Sequence, residues 1–188
     1  MRWNSQYGDY LRYQNLDGAQ LPTVISHFQQ NTTVTVQNTV TETSIFTTGL
    51  GSRTFGAGWF NVGSIIRINI LGTVKTLNGS QTQRIRAYFD AVNILDTGAV
   101  TLPSIASATA YRTQMDFSFS AIGASGSCGG GWTRLIYAAS TTALAATVPT
   151  VATINTTASH VLNITTTWGA ADPANVDITY GVIVECLG

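Results

Sequence analysis

The chain has 188 residues, of which only 10% are charged, and nine Lys and Arg balance nine Asp and Glu to a formal net charge of zero. That length suits one sizeable domain, able to bury roughly 70% of its unfolded surface without a metal or disulfide staple. The neutral balance and the lack of any basic stripe argue against nucleic-acid binding, and no apolar run approaches a membrane-spanning helix. Average chains carry about 25% charge, and a lone monomer with so little is prone to associate at neutral pH. A surface covered by partners is therefore favoured over one kept soluble by hydroxyls and amides alone.

Residues 1–30 differ in texture from everything that follows. Trp3, Tyr7, Tyr10 and Tyr13 stand among polar residues, while Gly8, Gly18 and Pro22 argue against a long helix. The opening MRWNSQYGDYLRYQ has no apolar run of the kind a secretory signal contains. We read residues 1–30 as an extended N-terminal arm outside the folded domain. A segment with no core of its own is ordered only when something holds it. The expected anchors on a neighbouring chain are Trp3, Tyr7, Tyr10 and Tyr13, because large aromatics bury much area at little side-chain entropy.

From residue 31 to residue 188 the punctuation is that of an all-β domain. Thr-, Val- and Ile-rich stretches alternate apolar and polar residues, which marks half-buried strands. Strands are expected at 32–38, 43–47, 64–74, 83–92, 93–99, 111–122, 126–138, 160–168 and 176–186. Between them lie Leu77-Asn78-Gly79-Ser80, Gly123-Ala124-Ser125-Gly126 and Gly169-Ala170-Ala171-Asp172-Pro173, all turn chemistry. Alternation puts Ile66, Ile68 and Ile70 on one face, and Met115, Phe117 and Phe119 on another. Leu162, Ile164 and Thr166 form a third set, and Val182 and Val184 in phase with Tyr180 a fourth. These sets should meet between two sheets. About eight or nine strands at this spacing predict a jelly-roll-like antiparallel β-sandwich.

Chemistry-bearing constellations are sparse. His27 falls in the connector after the arm and His160 opens a strand; neither has a Cys or carboxylate at ligand spacing. The acids are scattered. Asp90 and Asp116 could sit on adjacent strands, but Arg67, Arg84, Arg86 and Arg112 lie close by, so cross-strand ion pairs are favoured over a glycosidase pair. Cys128 and Cys186 lack zinc spacing; two buried free thiols are favoured over a pair that the fold brings together. Gly129-Gly130-Gly131 is followed by strand-like sequence and no helix, so it reads as a bulge or a close backbone approach, not a phosphate loop. Trp59, Trp132 and Trp168 read as core or interface anchors ahead of a sugar-stacking platform. Four Asn-x-Ser/Thr sequons begin at Asn31, Asn78, Asn155 and Asn163 and follow from the abundance of Asn and Thr. No catalytic residue, cofactor or metal ligand is assigned.

The order of motifs resembles a β-sandwich domain of tailed-bacteriophage virion proteins. It runs TETSIFTTGLGSRTFGAGWFNVGSIIRINILGTV, RIRAYFDAVNILDTGAVTLP, YRTQMDFSFSAIGASGS and NTTASHVLNITTTWGAADPANVDITYGVIVE. The most specific pieces are Thr-Glu-Thr-Ser at Thr41, Val-Gly-x-x-Ile-Arg at Val62 and Gly-Ala-Ser-Gly at Gly123, and the likeness spans about residues 31–185. Such domains occur in head-decoration (cement) proteins and at the tips of head and tail fibres. The resemblance implies a jelly-roll-like sandwich, a homotrimer and a place on the outer surface of the capsid against the major capsid protein. It implies no active site. The sequence carries no shaft or repeat before the domain, which favours cement over a fibre tip that recognises a host glycan or surface protein. Cys128-Gly-Gly-Gly departs from the ordinary strand expected there.

Overall fold

The structure is a computed structural model that describes residues 24–76, 81–137 and 144–187. Fourteen strands and no helix occur among them. In chain order they are β1 (Val24–Gln30), β2 (Val34–Gln37), β3 (Thr43–Ser44), β4 (Gly49–Gly51), β5 (Thr54–Phe55), β6 (Ile65–Thr76) and β7 (Thr82–Phe89). They continue with β8 (Val92–Asp96), β9 (Val100–Thr101), β10 (Ile105–Ala121), β11 (Gly126–Ile136), β12 (Leu144–Ile154), β13 (His160–Trp168) and β14 (Val176–Leu187). The larger sheet has eight strands in the order β12-β11-β10-β6-β14-β1-β4, with β2 also pairing β14. The smaller has six, β3-β13-β7-β8, with β5 on β13 and β9 on β7. Every recorded pairing is antiparallel. The fold is the antiparallel β-sandwich that the alternation pattern predicts.

Each of the nine expected segments contains a strand, and the inward faces follow period two. Ile66, Ile68 and Ile70 from β6, Met115, Phe117 and Phe119 from β10, and Val182 and Val184 from β14 are buried. They meet Ile85, Ala87 and Phe89 from β7 and Leu162 and Ile164 from β13 in one core. Phe60, from the loop before β6, closes one end of the sandwich. Its ring stacks on Phe119 at 4.0 Å between centroids and lies 5.2 Å from Phe55, while Phe55 meets Phe89 edge-on at 5.6 Å. Such aromatic contacts add about 0.5–1.5 kcal/mol each beyond area burial.

One part of the core is polar. Arg134 on β11 is buried and its guanidinium lies 3.9 Å over the Tyr111 ring. Its Nη1 donates to Gln83 Oε1 from the opposite sheet and its Nη2 sits 3.3 Å from Asp177 Oδ2. Tyr111 donates to Asp177 Oδ1 at 2.7 Å, and Gln83 Nε2 donates to Thr166 Oγ1 at 2.8 Å and to Asp177. Burial, then the adjacent Asp177 charge, pushes the Tyr111 phenol well above its usual range, so it remains a donor. The network joins β7 and β13 of one sheet to β10, β11 and β14 of the other.

Three local readings need correction. First, the arm was expected to reach residue 30, but Val24–Gln30 is a strand held between β14 and β4. The register shifts between Ser26 and Phe28, so the apolar alternation is broken and the strand is hidden in sequence. Second, Tyr180 was placed in phase with Val182 and Val184, but it is exposed. A register shift between Thr179 and Gly181 turns it outward. Third, Asp90 and Asp116 do not lie on adjacent strands: Asp90 follows β7 in the smaller sheet and Asp116 is mid-β10 in the larger.

Strand β12 escaped sequence reading because LAATVPTVATI alternates weakly and contains a proline. The pairing with β11 shifts register between Gly130 and Trp132, and Pro149 falls in the unmatched stretch, where no ladder bond is required of it. The glycine run does both things expected of it. A Cβ on Gly130 would strike the Phe117 ring and come within 2.6 Å of the Asp116 carbonyl, whereas one on Gly131 meets open space. Gly130→Ala should therefore cost about 1–3 kcal/mol and Gly131→Ala should change stability by less than about 1 kcal/mol, read from urea-unfolding midpoints. In the same assay Asp177→Ala, which strands the buried Arg134 charge, should cost about 3–5 kcal/mol.

Candidate interaction surfaces

The outer face of the smaller sheet carries a continuous charged network. β7 alternates Gln83, Ile85, Ala87 and Phe89 inward with Arg84, Arg86 and Tyr88 outward, so two guanidiniums and a phenol stand in one row. Asp96 on β8 accepts from Arg84 Nε at 2.7 Å and from Arg86 Nε at 3.2 Å. Glu42, in the loop before β3, pairs with Arg86 Nη1 and accepts from the Tyr88 hydroxyl at 2.8 Å and from Thr165. The Arg84 bond, chiefly, holds the Asp96 carboxyl down at about 2, against a smaller opposing effect of burial. Burial works to raise the Glu42 value, but hydrogen bonds from Thr165 and Tyr88 and the Arg86 charge outweigh it and leave it lowered. Burial, then the Glu42 bond, raises Tyr88.

The outer face of the larger sheet is neutralised in the same way. Arg67 Nε donates to Asp116 Oδ1 at 2.8 Å, and Gln114 Nε2 donates to Asp116 Oδ2 at 2.8 Å. Arg112 Nη2 donates to Asn69 Oδ1 at 2.6 Å, and Asn69 Nδ2 to Glu185 Oε2 at 3.4 Å. Of the two acids expected among these arginines, Asp116 is found there, on Arg67; Arg84 and Arg86 pair across strands with Asp96 and Glu42, Asp90 lies on His160, and Arg112 goes to an amide instead of an acid. Carboxylates on both faces are taken up by neighbours in their own sheet.

At one end of the sandwich the loops are tied together. His160 lies with Nδ1 2.8 Å from Asp90 Oδ2 and Nε2 2.7 Å from the Asn155 carbonyl. The other Asp90 oxygen accepts from the Val161 N–H at 2.9 Å, a bond that, with His160, holds the Asp90 carboxyl below its ordinary value. Thr156 bridges onward: its N–H donates to the Gly123 carbonyl at 3.0 Å and its carbonyl accepts from Gly58 N–H at 2.9 Å. The carboxylate near His160, invisible in sequence, is 70 positions away and reaches the ring only because β7 pairs with β13. Both ring nitrogens are engaged, one with a carboxylate and the other with a main-chain carbonyl.

His27 is not in a connector but in β1, stacked on Phe55 with centroids 4.1 Å apart and tilted toward Trp59 at 5.1 Å. Burial lowers its value, against a hydrogen bond to the Thr54 carbonyl. Trp132 and Trp168 are buried in the core and Trp59 is partly buried against it, so the three tryptophans form no common platform. Cys128 and Cys186 are free thiols, pushed up by burial to about 12 and about 11. No group of three or more His, Cys, Asp or Glu poised for a metal occurs among the described residues. The expected anchors Trp3, Tyr7, Tyr10 and Tyr13 lie outside the described residues.

What the surface offers a partner is mostly uncharged. Val62 and Ile122 are exposed on the loops of the tied end, Val151 on the outer strand β12, and Leu71 and Tyr180 on the outer face of the larger sheet. No family model, curated protein or solved structure matches the chain.

The outward networks give a pH prediction. A carboxyl whose folded value is depressed contributes its stabilisation fully above its unfolded value, 3.8 for Asp96, and loses it as pH falls through about 2. Stability should therefore fall between about pH 4 and pH 2, and Asp96→Asn should flatten that part of the curve while lowering the plateau above it. Thermal unfolding across the acid range checks both.

Proposed function

We propose that this protein is a structural protein of a tailed-bacteriophage virion, and specifically a head-decoration (cement) protein on the outer surface of the capsid. It forms homotrimers that clamp neighbouring major capsid subunits. It acts by burying area, with no catalytic step, cofactor, nucleic acid or membrane. The observation that carries the reading is a sandwich whose outward arginines and carboxylates, among the described residues, are taken up by one another or by neighbouring amides within each sheet. Such a surface associates through shape and apolar contact. The motif order over residues 31–185 supplies the virion context. A subunit interface of roughly 2,000 Å² or more is of obligate size, and repetition over a shell multiplies weak contacts through effective concentration.

A fibre-tip receptor-binding module is the second reading. It is favoured by the hydrogen-bonded loop cluster at one end of the sandwich, where Val62 and Ile122 are exposed. Copy number separates the two: cement should be present at hundreds of copies per particle and a fibre tip at few.

Mass measurement in native buffer should show three chains together, and a clean monomer at micromolar concentration would sink the trimer. The arm test must respect the position of β1. Removing residues 1–22 should leave the sandwich folded and weaken binding to undecorated shells or loosen the trimer. Removal through Gln30 should also destabilise the fold, because it takes away the strand that pairs both β14 and β4.

A further inference from the structure

The two exposed side chains at the middle of the larger sheet are there for a structural reason. In phase with Val182 and Val184, Tyr180 would point into the core. The one-residue shift between Thr179 and Gly181, opposite Gly72 and Leu71, turns it out. Bulges of this kind re-aim side chains and recur at functional places. Gly72 makes room for the arrangement: a Cβ there would strike the Ile178 carbonyl and lie 2.8 Å from the Tyr111 ring. Tyr180 is left 52% exposed and Leu71, on the neighbouring central strand, 46% exposed. The Tyr180 hydroxyl is held by Thr73 Oγ1 at 3.1 Å, and Arg112 sits directly across from Leu71 with its guanidinium on Asn69. An aromatic and a leucine at the centre, with an arginine and satisfied polar groups around them, is the anatomy of an interface hot spot.

We propose that this patch, centred on Tyr180 and Leu71, is the seat for the aromatic segment of residues 1–23 from a second copy of the chain. The inference rests on the assembly reading above and names its receiving surface. Three observations select this occupant. The Arg112 guanidinium beside the patch rests on the amide oxygens of Asn69 and Gln114 and has no carboxylate among the described residues, a setting that suits the face of an aromatic ring. The segment brings Trp3, Tyr7, Tyr10 and Tyr13 with two Arg and two Asp in balance. Val24 pairs with Leu187, so the described chain begins at the end of β14 remote from Tyr180. Twenty-three residues at up to about 3.3 Å each reach roughly 75 Å, enough to cross to an adjoining subunit.

The test uses the full-length protein with p-benzoylphenylalanine at position 13, irradiated in native buffer and mapped by mass spectrometry. Native mass is measured on the same sample. The expected result is a trimer with intermolecular cross-links to residues 71–73 and 180–183. In parallel, Tyr180→Ser should raise the dissociation constant of the trimer about 10–30-fold while leaving the unfolding midpoint of the isolated subunit unchanged. A trimer that cross-links elsewhere, or only within one chain, overturns the proposed seat and leaves the assembly reading standing. A monomer overturns both. A Tyr180→Ser trimer as tight as the parent also overturns the seat.

Discussion

Every strand of this protein must place alternate side chains between two sheets, and the rest of the structure follows from how that constraint is met or broken. Where period two is unbroken, the inward residues are mostly apolar and the outward charged ones find partners within their sheet. The run from Ile65 to Thr76 shows the pattern over twelve residues. Its inward isoleucines face the Phe and Leu residues of β7 and β13, and its outward Arg67 and Asn69 reach across to β10 and β14. Burial of these side chains, at about 25 cal/mol per Å², is the main stabilising term, and the outer networks add comparatively little because exposed pairs contribute about 0–1 kcal/mol.

The places where period two breaks are the informative ones. Shifts at Ser26/Phe28, Phe119/Ala121, Gly130/Trp132 and Thr179/Gly181 each change what a strand presents. One turns His27 onto Phe55 and Trp59, another accommodates Pro149 in β12, and another exposes Tyr180. The buried Arg134–Gln83–Asp177–Tyr111 group is a different kind of departure. A charge pair in the core seldom adds net stability over an apolar replacement. Its geometry ties β7 to β10, β11 and β14, and so opposes sliding of one sheet over the other.

These features agree with a protein whose surface works by contact. Asp116, Asp96 and Glu42 are found on arginines, Glu185 on a neighbouring amide and Asp90 on His160. His160 is held between Asp90 and a carbonyl, which braces the turn after β7 against the loop before β13. Tyr180 is exposed because a bulge turns it out, and Leu71 beside it lies on the outward face of β6 in phase with Arg67 and Asn69.

Nine strands, their inward faces at β6, β10 and β13, the dual role of the glycine run and the ion-pairing habit of the arginines were legible in sequence, because each depends on local periodicity or on residue chemistry alone. The sequence also marked Trp3, Tyr7, Tyr10 and Tyr13 as unlike the domain that follows. Only the tertiary structure decided the rest. Strand β1 and strand β12 exist because β14 and β11 offer them hydrogen bonds, although a bulge in one and a proline in the other erase the alternation that would announce them. The His160–Asp90 contact joins residues 70 apart, and the Arg134 network joins five strands and two sheets. Tyr180 faces outward because register is settled between strands: a one-residue shift moves a side chain to the opposite face, and no pattern within a single strand records which partner imposes it.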